Sequence, residues 1–113
     1  MPLTAKERPT ISVGDTEVIS VNFTDLLDGS ELLTGTPTVV EQTSSDLTIA
    51  TVQVNTNTYT EACSGDTVAV GAAVQCKVSG GTVANSPYRI RVTCSSDATI
   101  ARTFVRDVLL NWT

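Results

Sequence analysis

The chain has 113 residues, with 7 basic side chains against 12 acidic ones, no histidine and a net charge of −5. Without histidine there is no His-based triad, imidazole base or His-containing zinc or iron site, so no enzyme, cofactor or metal is expected. An acidic chain neutralises few phosphates, and its longest apolar run, 68–74, falls far short of the roughly 18 to 20 residues a membrane-crossing helix needs, so neither free nucleic acid nor a membrane is an expected partner.

Nineteen threonines and fifteen valines against 4% aromatics give the chain an all-β composition, because β-branched side chains suit a pleated surface. Residues 1–10 read as an extended arm, since Pro2 and Pro9 disfavour helix and cannot donate to a sheet. No apolar stretch of signal-peptide length occurs there, so export is not expected. In 17–23, Ile19, Val21 and Phe23 alternate with Val18, Ser20 and Asn22, the period of a half-buried strand. Segment 24–30 mixes turn formers with Leu26 and Leu27 and predicts a compact loop or single helical turn whose leucines close one end of the core.

Residues 31–42 are extended, with Gly35 and Pro37 marking a bulge or an edge position. A turn at 44–46 leads into a strand over 47–54. The polar stretch 55–67 predicts an insertion or long hairpin with its tip at Ser64, Gly65 and Asp66. A strand over 68–78 follows, stopped by Gly80 and Gly81. The last hairpin comprises a strand over 88–94 with Ile90, Val92 and Cys94 on one face, a turn at 95–98, and a strand over 99–110.

About seven short strands without helical periodicity imply an antiparallel two-sheet β-sandwich of immunoglobulin-like type over 11–113, with a small β-barrel as the alternative. The Cys, Trp, Cys arrangement of antibody domains is missing, because the one tryptophan is Trp112.

Three stretches carry a resemblance: L-T-A-K-E-R-P at the start, F-T-D-L-L-D-G-S-E-L-L from Phe23 to Leu33, and Y-R-I-R-V-T-C-S-S-D-A-T-I-A-R-T-F-V-R-D-V from Tyr88 to Val108. Together they cover about half the chain and resemble small Ig-like structural proteins of tailed-bacteriophage virions. Leu26 stands where that group often has an aromatic, and Ser95 to Ala98 where its turn often has glycine. The resemblance implies a non-enzymatic virion protein made in the host cytoplasm, foremost a capsid decoration or cement protein on the head surface. Its partners would be the major capsid protein or other virion subunits, in homo-oligomeric or multivalent arrays. A neck, tail or fibre component is the alternative, and a bacterial surface Ig-like adhesion module the alternative from another class.

The candidate partner-binding residues are Leu3, Lys6, Arg8, Arg89, Arg91, Arg102, Arg106 and Trp112. With a two-residue turn at Ser96 and Asp97, Arg91 falls opposite Arg102, and Arg89, Arg91, Arg102, Phe104 and Arg106 share an outward face. Such a stripe of like charge would suit an acidic partner. A register shifted by one residue instead turns Ile100, Phe104, Val108 and Leu110 inward and separates the arginines. Trp112 and Tyr88 are aromatic anchors for a partner or packing residues of the sandwich. Cys63, Cys76 and Cys94 are expected as reduced thiols, the last two facing the core. The N-x-T matches at Asn22 and Asn111 lack an export context, and Asp25, Asp28, Glu41 and Asp46 read as caps of turns.

Overall fold

The structure, a computed structural model, describes residues 3–4, 10–61 and 64–113. Its strands are β1 (Leu3–Thr4), β2 (Thr10–Ile11), β3 (Glu17–Asn22), β4 (Leu33–Glu41), β5 (Thr48–Val54), β6 (Tyr59–Thr60), β7 (Thr67–Val68), β8 (Ala73–Ser79), β9 (Tyr88–Ser96) and β10 (Thr103–Trp112). One sheet runs β1-β10-β9-β4 with β2 also on β10, a second runs β3-β8-β5, and β6 and β7 form a separate hairpin. Ile19, Val21, Cys76 and Val78 of the second sheet share one buried cluster with Ile90, Val92, Cys94, Val108 and Leu110 of the first. The fold is therefore all-β and sandwich-like, and the sheets do not close into a barrel. Among the described residues no helix is long and apolar enough to cross a membrane.

The predicted alternation of 17–23 and 88–94 holds, because each strand buries one face only. Residues Thr24–Leu26 form a single 3-10 turn, and Leu26 and Leu27 pack against the core as expected. β4 is an edge strand with a register shift between Thr34 and Thr38, where Gly35 and Pro37 lie. β8 begins at Ala73 rather than 68, because Val68 belongs to the inserted hairpin and Gly71 turns the chain with φ +82°. The first sheet is not wholly antiparallel: β1 pairs Leu3 and Thr4 with Arg106 and Asp107, and β2 pairs Thr10 and Ile11 with Asn111 and Trp112, both in parallel. This lays part of the expected arm along the outer edge of β10, with the Ile11 side chain in the core.

Two local constructions hold the ends. At one, the Tyr88 hydroxyl accepts from the Thr82 N–H at 2.9 Å and donates to Asp46 Oδ2 at 2.8 Å. The Tyr88 ring meets Trp112 edge-on with centroids 5.0 Å apart. Trp112 is only 3% exposed. Burial here decides between its two readings in favour of packing and against the partner anchor: β10 runs to the end of the sandwich and turns the indole onto Gly81, whose missing side chain makes room for it.

At the other end Asn55, fully buried, accepts from the N–H groups of Gly71, Ala72 and Ala73 and donates to the carbonyls of Asn57 and Ala69. One side chain thus supplies partners for five main-chain groups where the inserted hairpin leaves and rejoins the sheet.

Candidate interaction surface

The last hairpin decides where the predicted arginines point. Thr103 pairs with Ser95, Phe104 with Cys94, Arg106 with Val92 and Asp107 with Arg91. Phe104, Val108 and Leu110 face inward, as in the shifted register, while Ile100 sits in the 97–102 loop and is 86% exposed. That loop is longer than a two-residue turn, so the single outward stripe of Arg89, Arg91, Arg102 and Arg106 does not form. A strand alternates its faces at every residue, and Arg106 shares the parity of buried Phe104 and Val108.

Each arginine of the hairpin instead meets a carboxylate of its own chain. Arg89 and Arg91, on the outer face, flank the buried carboxylate of Asp107 at 3.0 and 2.9 Å. The hydrogen bond from Arg91, then that from Arg89, holds the Asp107 carboxyl below its ordinary range against the opposing effect of burial. Arg106 is 6% exposed and crosses between the sheets. Its Nη1 donates to the Asn22 carbonyl at 2.6 Å, its Nη2 reaches Asp25 Oδ2 at 3.1 Å, and its guanidinium lies 5.3 Å from the centre of the Phe23 ring. Arg102 pairs with Glu31 and donates to the Leu26 carbonyl at 2.8 Å. It ties the loop after β9 to the loop after β3. Lys6 and Arg8 lie outside the described residues, and of Leu3 only the backbone is described.

The loops at this end are cross-linked by main-chain bonds as well. Leu32 and Asp97 exchange two hydrogen bonds, the Leu32 N–H to Asp97 Oδ1 and the Asp97 N–H to the Leu32 carbonyl, both 2.8 Å. The Phe23 N–H donates to the Ala72 carbonyl at 2.9 Å and the Leu33 N–H to the Gly71 carbonyl at 2.7 Å. A polar cavity of about 210 Å³ lies between the 3-10 turn and the inserted hairpin, lined by Asn22, Asp25, Glu61, Ser64, Asp66 and Arg106 among others. Within it Glu61 accepts from Asn22 Nδ2 at 2.9 Å and from the Ser64 hydroxyl at 2.7 Å. The predicted hairpin tip is formed as expected, its Glu61 N–H donating to the Asp66 carbonyl. These groups serve one another as structural partners, and the turn carboxylates act as the caps their context predicts: Glu41 accepts from the N–H groups of Ser44 and Leu47 at 2.9 Å each.

Sequence reasoning missed Asn55 and the Asp97 bridge, because a polar residue in a polar stretch carries no periodic signal. The repeated Asn-Thr of 55–58 was the nearest cue, and it marks a turn rather than a buried clamp.

Protonation is linked to the stability of the fold through groups at this surface, at the opposite end and in the core. Arg102, chiefly by hydrogen bonding, holds Glu31 at about 2 against an ordinary 4.5. Asp46 is lowered by its hydrogen bonds from Asn85 and Tyr88. Burial pushes Cys76 to about 11 and Cys94 to about 12, from 9.0. Both cysteines are buried free thiols, as expected; Cys63 lies outside the described residues. The unfolded chain therefore takes up protons first on acidification and loses thiol protons first on alkalisation. The carboxylate contribution is present above about pH 4.5 and fades as pH falls toward 2. The thiol contribution is present below about pH 9 and fades as pH rises through 11 to 12. Scanning calorimetry across pH 2.5 to 11 should give a flat Tm between about 5 and 8.5 with a fall on both sides. A step between 6 and 7, where histidine titrates, would contradict this assignment.

No family model, curated protein or solved structure matches the chain.

Proposed function

We propose that this chain is a non-enzymatic structural subunit of a tailed-bacteriophage virion, a capsid decoration or cement protein built on an immunoglobulin-like sandwich. The virion part of the reading rests on the sequence resemblance, and the observation that carries its immunoglobulin-like part is the strand order. β3-β8-β5 and β4-β9-β10 follow one another as B-E-D and C-F-G do in immunoglobulin-like sandwiches. The Tyr88 hydroxyl, at the start of the F-equivalent strand and bonded to the backbone N–H of Thr82, supports it as a tyrosine corner would. The segments carrying the virion resemblance, 23–33 and 88–108, build the loop end and the hairpin just described. Repeated modest contacts on a capsid lattice suffice for such a subunit, because multivalent attachment multiplies weak affinities.

Electron microscopy of the purified source particle, with the protein marked by a specific Fab, tests the proposal. Label repeated over the head lattice is the expected result. Label confined to the neck, tail or fibres would move the assignment to those parts, and a particle without the protein would overturn the virion reading.

A further inference from the structure

Carboxylates gather at one end of this fold. The three loops 23–32, 55–72 and 97–102 contain six carboxylates, Asp25, Asp28, Glu31, Glu61, Asp66 and Asp97, and a single basic residue, Arg102. With Arg106, whose guanidinium reaches Asp25 of the first loop, this end carries a net charge of −4, whereas the other described residues set five carboxylates against three basic side chains, a net of −2. All three loops emerge at one end of the sandwich, as the pairs Asn22 with Ala73, Val54 with Val74, and Leu33 with Ser96 require.

The same end presents apolar side chains to solvent, one from each loop: Leu32 at 41%, Val70 at 47% and Ile100 at 86% exposed. Leu32 packs over Gly71, where an added Cβ would come within 3.3 Å of it, so Leu32 adjoins the loop that carries Val70. An exposed isoleucine costs solubility without helping the core, and here it stands on a loop held by the Arg102–Glu31 pair and the Asp97–Leu32 exchange. Held loops lose little freedom on binding, which favours a docking role.

We propose that this loop end is the docking face of the subunit, and that its partner is a protein surface with an apolar recess for Ile100 and a rim of lysine or arginine. The inference rests on the virion reading and supplies its contact surface. The sign is the reverse of the basic stripe expected from sequence: the arginines are neutralised within the chain, and the uncompensated charge is acidic. A partner of like charge is disfavoured, since opposed like charges at an interface are repelled, and so is head-to-head pairing of two copies through this face.

The test measures incorporation into purified particles by quantitative mass spectrometry. Parent chain is compared with I100E, with the reversal D28K/D66K at the loop end, and with D15K/E17K at the far end, which makes the same change in net charge. Thermal melts confirm that each variant folds; all the substituted positions are exposed. I100E and D28K/D66K should each lower incorporation at least tenfold, while D15K/E17K stays within twofold of the parent. Equal incorporation of all variants, or equal losses at both ends, would overturn the docking face while leaving the virion reading intact. A parent chain absent from particles would instead remove the virion reading, and the docking face with it.

Discussion

Asn55→Ala should destabilise the protein by about 2 to 4 kcal/mol, since it removes the amide partner of three buried N–H donors and two carbonyls. Of these, the Gly71 and Ala72 N–H groups and the Ala69 carbonyl keep main-chain hydrogen bonds at 3.2 Å, and each buried group left unsatisfied costs about 1 to 3 kcal/mol. The whole fold is expected to hold only about 5 to 15 kcal/mol, so this one side chain governs a large part of it. Urea unfolding should show the midpoint falling with an unchanged slope, and Tm should drop by about 10 to 25 °C. Asn55→Asp separates the two halves of the clamp. It keeps an acceptor for Gly71, Ala72 and Ala73 but sets a carboxylate against the carbonyls of Asn57 and Ala69. Its loss should therefore be smaller at low pH, where the carboxyl is protonated and donates again. A loss below about 1 kcal/mol for Asn55→Ala would mean that water replaces the amide and that the clamp is not structural.

The second large effect lies at the opposite end. Trp112→Ala removes the indole that covers Gly81 and meets Tyr88, and should cost about 3 to 5 kcal/mol, the range for deleting a buried aromatic. Gly81→Ala attacks the same contact from the other side, because a Cβ there would lie 2.2 Å from the Trp112 ring. The indole is held by β10, so the clash must be relieved by moving the 80–87 segment or expelling the ring. A double-mutant cycle distinguishes this from a generic loop effect. In the Trp112→Ala background, Gly81→Ala should be nearly neutral, leaving a coupling of about 1 to 3 kcal/mol. Additive losses would show that the glycine is needed for a reason other than the ring. The backbone of Trp112 also contributes, its N–H donating to the Ser86 hydroxyl at 2.8 Å.

The two substitutions differ in their relation to the loop end. Asn55 lies beneath Gly71, over which Leu32 packs, so its loss should loosen the apolar face as well as the fold. Trp112 is remote from that face, and its variants should lose stability without a selective loss of docking. Comparing incorporation at matched stability separates the two roles.

Much of this protein follows from local pattern. The absence of histidine, the threonine and valine content, the alternation of 17–23 and 88–94, the bulge at Gly35 and Pro37, the turn at 24–30 and the hairpin tip at Ser64 to Asp66 are each dictated within a few residues. Periodicity and turn chemistry act over that range, and the core parity of Cys76 and Cys94 was legible for the same reason. Only the tertiary structure decided the register of the last hairpin, because one residue of slip exchanges its faces and both faces carry plausible residues. Phe104, Val108 and Leu110 are buried while Ile100 is left in the loop, and Arg106 comes inward because Asp25 and the Asn22 carbonyl lie across the gap between sheets. The parallel addition of β1 and β2 to β10, the burial of Trp112 on Gly81 and the gathering of carboxylates on one end likewise join residues far apart in the sequence, from Gly81 with Trp112 to Leu3 with Arg106. Such contacts depend on how strands are ordered in space, which no window along the chain contains.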